Sequence, residues 1–204
     1  MQRLCALAAA DQRSFVALAG PPGSGKSTLT EALLAQVERD HPGRAAILPM
    51  DGFHYDDMYL EPRGLKPRKG APQTFDAAGF GATLARLAAD NAPVAVPVFD
   101  RDLEIARAGA RVIGPETRLV LVEGNYLLLD DPDWQSLRQH FALTVQLDVP
   151  LDTLRHRLLE RWRHLPQDEA LRKVEANDLP NATLVLTRSV PGDLVLRDVA
   201  LPGG

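Results

Sequence analysis

The chain has 204 residues, room for one domain or one plus a small appendage, and enough to bury a core without disulfide or metal staples. Its net charge is −4 with 45% apolar and 25% charged residues, an ordinary globular mixture that lacks the basic field nucleic acid or an anionic membrane would require. The single cysteine, Cys5, excludes a disulfide framework and a multi-cysteine zinc site, and no uncharged apolar run reaches the length of a membrane span. The expectation is a soluble, cytoplasmic protein of a reducing compartment, with neither a nucleic-acid nor a membrane partner.

Residues 1–10 loosely imitate a signal peptide, but their apolar stretch covers only 4–10, so a short lead-in helix is expected instead. Residues 14–19 (SFVALA) form an apolar run ending in Gly20, the pattern of a buried parallel strand. After a glycine-rich loop, Leu29, Leu33, Leu34 and Val37 recur at helical spacing, and His41-Pro42-Gly43 ends that helix. Residues 45–50 (AAILPM) predict the next strand, ending at Asp51. The stretch 52–74, rich in Gly, Pro, Tyr and charge, predicts a long irregular segment, usually a lid or binding loop.

A helix is predicted over 76–90, with Phe80, Leu84 and Leu87 on one face. Residues 94–99 contain Pro97 and predict an edge strand, and 103–113, with Gly109 near its middle, predicts a small hairpin. The run 119–122 (LVLV) is the strongest buried-strand signal, and 143–147 predicts another strand. Helices are predicted over 151–163 and 167–176, then a final core strand over 183–186 and a further short one over 194–196. Alternating strands and helices imply an α/β fold, a parallel sheet covered on both faces.

Gly20-Pro21-Pro22-Gly23-Ser24-Gly25-Lys26-Ser27-Thr28 fits the P-loop pattern, between a predicted strand and a predicted helix. Glycines let the backbone curl so that several N–H groups converge on a phosphate, backed by the positive end of the next helix. Lys26 neutralises the β/γ-phosphates and the Ser27 hydroxyl ligates Mg²⁺. The motif identifies a nucleotide site and leaves three jobs open: small-molecule kinase, GTPase switch, and ATPase motor or assembly factor. No asparagine is followed by lysine, so the guanine-reading Asn-Lys-x-Asp is missing, and kinase comes first.

Asp51 follows the second strand, where an open parallel sheet places its ligands, and could accept a proton from a substrate hydroxyl. The alternative for Asp51-Gly52 is a simple turn. Asp51-Gly52-Phe53, the run Arg68-Lys69-Gly70-Ala71-Pro72-Gln73-Thr74-Phe75-Asp76, Val96-Pro97-Val98-Phe99-Asp100 and Val122-Glu123-Gly124 occur here in that order. With the phosphate loop, they resemble the uridine kinase/phosphoribulokinase/type I pantothenate kinase superfamily over roughly residues 14–190. Met50 to Asp57 together with Gly124-Asn125-Tyr126-Leu127-Leu128 looks most like the branch labelled fructose-transport-system kinase, or nucleoside/nucleotide kinase-like.

The resemblance implies the P-loop nucleoside triphosphate hydrolase fold, with a small edge hairpin and a helical lid. Asp51 matches the family's catalytic base, and Glu123 an acidic residue near Mg²⁺ and substrate, with a strand-end charge serving a following helix as the alternative. Lys69 matches a basic substrate-binding position, while Arg63, Lys66 and Arg68 could equally be a solvated loop face. His54 and Tyr55 adjoin the base and either line the substrate pocket or pack; Phe99-Asp100-Arg101 ends the strand where the family places substrate contacts. Arg157 and Arg161 match the lid arginines that reach the transferring phosphoryl group, one helical turn apart. Trp162-Arg163-His164-Leu165-Pro166 departs from the family's Arg-Gly lid ending. Asn177 and Asn181 either bond substrate or cap a turn.

The expectation is one P-loop kinase domain over 1–204, with a lid at about 155–178, using ATP and Mg²⁺ and acting on a small-molecule substrate. The rival is an ATP-binding regulatory or assembly ATPase. Neither the acceptor nor the oligomeric state is readable, and a homodimer stays open.

Overall fold

The structure, a computed structural model, describes residues 1–89 and 92–197. In chain order the first half contains α1 (Gln2–Ala9), β1 (Ser14–Ala19), α2 (Lys26–Asp40), β2 (Ala45–Pro49), a single turn α3 (Asp57–Leu60) and α4 (Ala77–Ala89). The second half contains β3 (Val94–Asp100), β4 (Ile105–Ile113), β5 (Leu119–Gly124), β6 (Phe141–Asp148), α5 (Leu151–Arg161), α6 (Gln167–Lys173), α7 (Leu179–Arg188) and β7 (Leu194–Arg197).

Five parallel strands form the main sheet in the order β2-β5-β1-β6-β7. β1 and β5 are apolar along most of their length because both faces are covered. Val16, Leu18, Leu119 and Leu121 pack toward α1 and α2, with Leu4, Ala8 and Val37. Phe15, Ala17, Val120 and Val122 face the other way, toward Phe80, Leu84 and Leu87 of α4, Trp134 and Val185 of α7. The register sets Ala19 beside Gly124 and Pro49 beside Glu123, so three strands deliver their carboxyl ends to one edge. In such a sheet that edge is where ligands bind.

Four sequence expectations are corrected. Residues 183–186 are not a core strand; they lie inside α7, where Ala182 and Val185 are buried one turn apart. A short apolar run carries no period of its own, so a buried helical turn and a buried strand look alike. Residues 103–113 are not a hairpin by themselves: β4 is one strand, and the hairpin consists of β3 and β4 paired antiparallel outside the main sheet. Pro97 and Gly109 both fall in the stretch where that pairing shifts register, which is how the ladder accommodates a residue without an N–H and a glycine at φ +66°. The stretch 52–74 is not structureless, being a chain of short helical turns including α3. Finally, the second lid helix runs from α6 through a π turn, Val174–Asp178, directly into α7. The helix predicted over 76–90 is α4, with Asp90 lying outside the described residues.

Gly52 fixes the hairpin against the sheet edge. A Cβ on Gly52 would stand 2.4 Å from the Pro97 carbonyl oxygen, so only glycine lets the two backbones meet there. No helix among the described residues is long and apolar enough to cross a membrane.

Candidate active site

The loop between β1 and α2 carries Gly23 at φ +79° and Gly25 at φ +90°, the left-handed residues that turn successive N–H groups inward. Gly20 stands beneath it, where a Cβ would meet Leu147 at 3.0 Å. The Ser24 hydroxyl is buried without a protein partner, and Lys26 is only 8% exposed, its Nζ donating to the Pro21 carbonyl at 3.0 Å. Burial pushes the Lys26 ammonium down to about 8, against Glu123 and Asp51, which pull it up. A buried cation beside an unpartnered hydroxyl and inward amides fits a phosphate chain. The Ser27 hydroxyl donates to Glu123 at 2.8 Å. Those two oxygens fit a hard cation that completes its shell with phosphate and water, as Mg²⁺ does; no cluster of three or more acidic, His or Cys ligands exists among the described residues. Burial, then the nearby Asp51, pushes the Glu123 carboxyl up, and Lys26 opposes this.

Asp51 sits in a short helical turn, Met50–Phe53, just beyond β2. Its carboxylate accepts from Arg101 at 2.7 Å. Burial pushes Asp51 up, but at the acidic pH where it titrates, His54, Arg101, Lys26 and Arg161 outweigh burial and hold it below its ordinary value. It is therefore ionised at neutral pH.

Besides a cavity between α2 and the hairpin that also touches it, two cavities meet at this carboxylate. The first lies over the phosphate loop and is lined by Gly23, Gly25, Lys26, Ser27, Thr28 and Glu123, with Asp51, Arg101, Asn125 and Arg161. The second is lined by the same four residues together with His54, Lys69, Phe75, Phe99, Glu104, Trp162, Asp178 and Asn181. Lys69 donates to Asp57 and to the Glu104 carbonyl, both at 2.6 Å, tying the 57–69 loop to the hairpin turn. Arg161 reaches solvent at the rim of both cavities; partial burial, then Arg101, lowers its pKa, yet a guanidinium stays charged.

The lid closes over the second cavity through contacts of its own. Trp162 Nε1 donates to Asp178 at 2.8 Å, and Asn177 donates to the Lys69 carbonyl at 2.7 Å. Asn181 is buried and accepts from Arg68 at 3.3 Å, so both asparagines bridge lid and loop rather than cap a turn. Burial pushes the Asp178 carboxyl up, opposed by the Trp162 hydrogen bond and Arg161.

Many of the residues singled out from sequence converge here, but Arg157, Asp100, Tyr55 and most of the basic loop do not. Arg157 points its guanidinium at the carbonyls of Gly23 and Ser24, at 3.5 and 3.4 Å, bracing the loop from below. Asp100 faces its own turn, accepting from the N–H groups of Asp102 and Leu103 and from Arg107, each at 3.2 Å. Tyr55 stacks on Tyr59 at 4.5 Å, away from both cavities. Of the basic loop only Lys69 lines the Asp51 cavity: Lys66 pairs with Asp57 and Glu61, Arg63 lies over Tyr59, and Arg68 holds the lid. Asn125, Glu104, Trp162 and Asp178 line the cavity without having been assigned from sequence. Only Asn125 had a positional signal, standing directly after the β5 carboxyl end.

No protein-family model matches the chain. A Schizosaccharomyces pombe protein named "Putative uridine kinase" is 34% identical across 93% of this chain and 85% of its own length. The chain belongs to the uridine kinase/phosphoribulokinase/pantothenate kinase superfamily of P-loop small-molecule kinases. A pantothenate kinase of Streptomyces coelicolor is 29% identical over 74% of this chain, which spans 48% of that longer protein. A crystal structure from Silicibacter sp. TM1040, described as a "putative fructose transport system kinase", superposes with a TM-score of 0.86 at 43% identity, covering 95% of this chain and 98% of that one. The family implies ATP, typically with Mg²⁺, and phosphotransfer to a small-molecule alcohol.

Proposed function

We propose that this single-domain kinase transfers the ATP γ-phosphoryl group to a hydroxyl of a small metabolite, a sugar such as fructose, a nucleoside or a pantothenate-like alcohol, with Asp51 as the base. The observation that carries the reading is the position of Asp51, ionised and shared by the phosphate-loop cavity and the second, ring-walled cavity. When bound, ATP supplies the phosphoryl group and Mg²⁺ neutralises charge on its oxygens. The loop amides and Lys26 hold the phosphates; Ser27 and Glu123 hold the cation. The acceptor lies between the 57–69 loop, the hairpin turn and the lid, with its hydroxyl proton passing to Asp51 as the oxygen attacks phosphorus. Arg101, with 57% of its side chain exposed, moves off the carboxylate to make room for that hydroxyl. Arg161, reaching both cavities, contacts the group in flight, where a planar fork grips phosphate oxygens. Cytoplasmic placement accords with a nucleotide-dependent reaction of this kind.

The test is ADP release with ATP and Mg²⁺, in the presence and absence of a panel of sugars, nucleosides and vitamin-precursor alcohols. Release that depends on one acceptor class supports the reading. Steady ADP release without any acceptor, unaffected by all of them, overturns it in favour of an ATPase.

A further inference from the structure

Arg161 is the last residue of α5 and reaches both cavities, yet among the described residues it makes no hydrogen bond or ion pair of its own. A long side chain in that state spreads over many rotamers, and ordering it costs conformational entropy. Its position therefore depends on what fixes the helix end and on the charges nearby. Of the carboxylates around it, Asp178 favours its charge most, ahead of Asp51 and Glu123. The next residue, Trp162, caps the helix, its N–H donating to the Leu158 carbonyl at 3.2 Å. The indole is held in three ways. Nε1 donates to the Asp178 carboxylate at 2.8 Å, and the Lys173 ammonium stands 4.4 Å from the ring centre. The ring also packs on the cluster of Leu154, Leu158, Val174 and Ala182, which joins α5 to α7. Asp178 ends the π turn Val174–Asp178, a break in helical register of the kind that collects at functional sites. One carboxylate thus takes the indole by a hydrogen bond and the neighbouring guanidinium by charge.

We propose, building on the reading of Arg161 above, that Trp162 and Asp178 form a clasp that positions Arg161 for phosphoryl transfer. Asp178 pins the indole, the indole pins the end of α5, and the guanidinium is thereby aimed at the group in flight. Both are positioning residues, acting through Arg161 rather than on the reacting atoms. An indole suits this task because one rigid plane supplies a donor, a face for Lys173 and an apolar body for the cluster. The hydrogen bond is strengthened by the charge on its acceptor and by partial burial. Phenylalanine in place of Trp162 keeps the face and the apolar body but lacks the donor, so the clasp can be opened without emptying its site.

The test needs no acceptor. ADP with Mg²⁺ and aluminium fluoride presents a mimic of the phosphoryl group in flight, and its affinity relative to ADP alone reads how well that group is gripped. By calorimetric titration, Trp162→Phe should weaken the mimic by about 10-fold while ADP alone binds as in the native protein. Arg161→Lys should weaken it about as much, and the double variant scarcely more than either, because both changes remove the same contact. Asp178→Leu should match Trp162→Phe, whereas Asp178→Asn, which keeps an acceptor for Nε1, should lose less. A purely structural role would weaken ADP and the mimic alike, or would multiply with Arg161→Lys; either result overturns the proposal. Full affinity for the mimic in Trp162→Phe, with loss in Arg161→Lys, sinks it as well. If Arg161→Lys leaves the mimic untouched, the reading of Arg161 fails and the clasp falls with it. Steady ADP release without an acceptor would count against the kinase reading alone, since an ATPase grips the same group. The clasp is also visible in ¹H–¹⁵N spectra, where the Trp162 indole N–H, one of two in the chain, should exchange slowly in the native protein and fast in Asp178→Leu. Fast exchange in the native protein overturns the proposal.

Discussion

The phosphate loop and the second cavity, the proposed acceptor cavity, share one carboxylate but are built in opposite ways. The loop is a single run of residues, Gly20 to Thr28, clamped between β1 and α2, and its function resides largely in backbone that curls at Gly23 and Gly25. The acceptor cavity is assembled from the turn after β2, the 57–69 loop, the hairpin and the lid, through side chains such as Lys69, Asn177 and Trp162 that tie those pieces together. A local device is specified by neighbours in sequence and tolerates change elsewhere. An assembled one depends on every contact that sets its pieces in place, and that leaves its specificity free to diverge while the loop stays the same.

Changes in the loop should therefore remove activity while leaving the fold, whereas changes in the assembled wall should mix the two. The largest effect is expected from Lys26→Met, with kcat/KM falling by about 10³-fold or more for any acceptor. Its thermal stability should be equal to or above that of the native chain, because a buried ammonium is removed. A variant that unfolds instead would make Lys26 a structural residue and erase the contrast.

Asp51→Asn tests the shared boundary. We expect kcat to fall by about 10²-fold or more with ATP affinity nearly unchanged, read by steady-state kinetics and nucleotide titration. Collapse of ATP affinity would place Asp51 with the cation and leave the acceptor cavity without its base.

Gly52→Ala probes the assembled wall. The added methyl would meet the Pro97 carbonyl at 2.4 Å, so the hairpin must shift. Stability should drop by about 1–3 kcal/mol and the acceptor KM should rise, while ATP affinity holds. Equal losses for both ligands would show that the two regions are coupled. A smaller effect, about 10-fold in kcat, is expected from Arg161→Lys, which keeps the charge and loses the fork. Arg155 pairs with Glu175 at 2.7 Å on an exposed face, so Arg155→Lys is the near-neutral control.

A last test uses pH. Lys26 titrates at about 8 in the fold and at 10.5 in the unfolded chain, so the unfolded chain holds the extra proton between those values. Stability from this group therefore rises with pH across that window, by at most about 3 kcal/mol, and the rise is missing in Lys26→Met. Phosphate affinity should move the other way, weakening above pH 8 as the charge is lost. Denaturant titrations of both proteins between pH 7 and 10 check the first statement, and nucleotide titrations the second.

How far the sequence is legible follows the same division. Buried strands such as 119–122 are readable because a strand covered on both faces must be apolar throughout, and the P-loop because its chemistry needs fixed residue types in a fixed order. The run 183–186 misleads because an apolar tetrapeptide fits a buried helix equally well. Asp100 and Arg101 look alike as neighbours at a strand end, but the turn that follows bends one toward its own amides and the other onto Asp51.

The sequence by itself determined the parallel α/β architecture, the glycine-rich loop that carries Lys26 and Ser27, and the strand-end places of Asp51 and Glu123, because strand ends and glycine-rich turns are local events. Only the tertiary structure decided which basic residues face the second cavity. Lys66, Arg68 and Arg157 are consumed by carboxylates or carbonyls that lie near or far in the chain, whereas Lys69, Arg101 and Arg161 reach the cavity. It alone placed Glu104, Trp162 and Asp178 in that cavity and set the His54 ring between Phe75 and Phe99. The physical reason is that a charge or a proton takes its position from the partners packing brings within a few ångströms, and sequence spacing does not encode those partners.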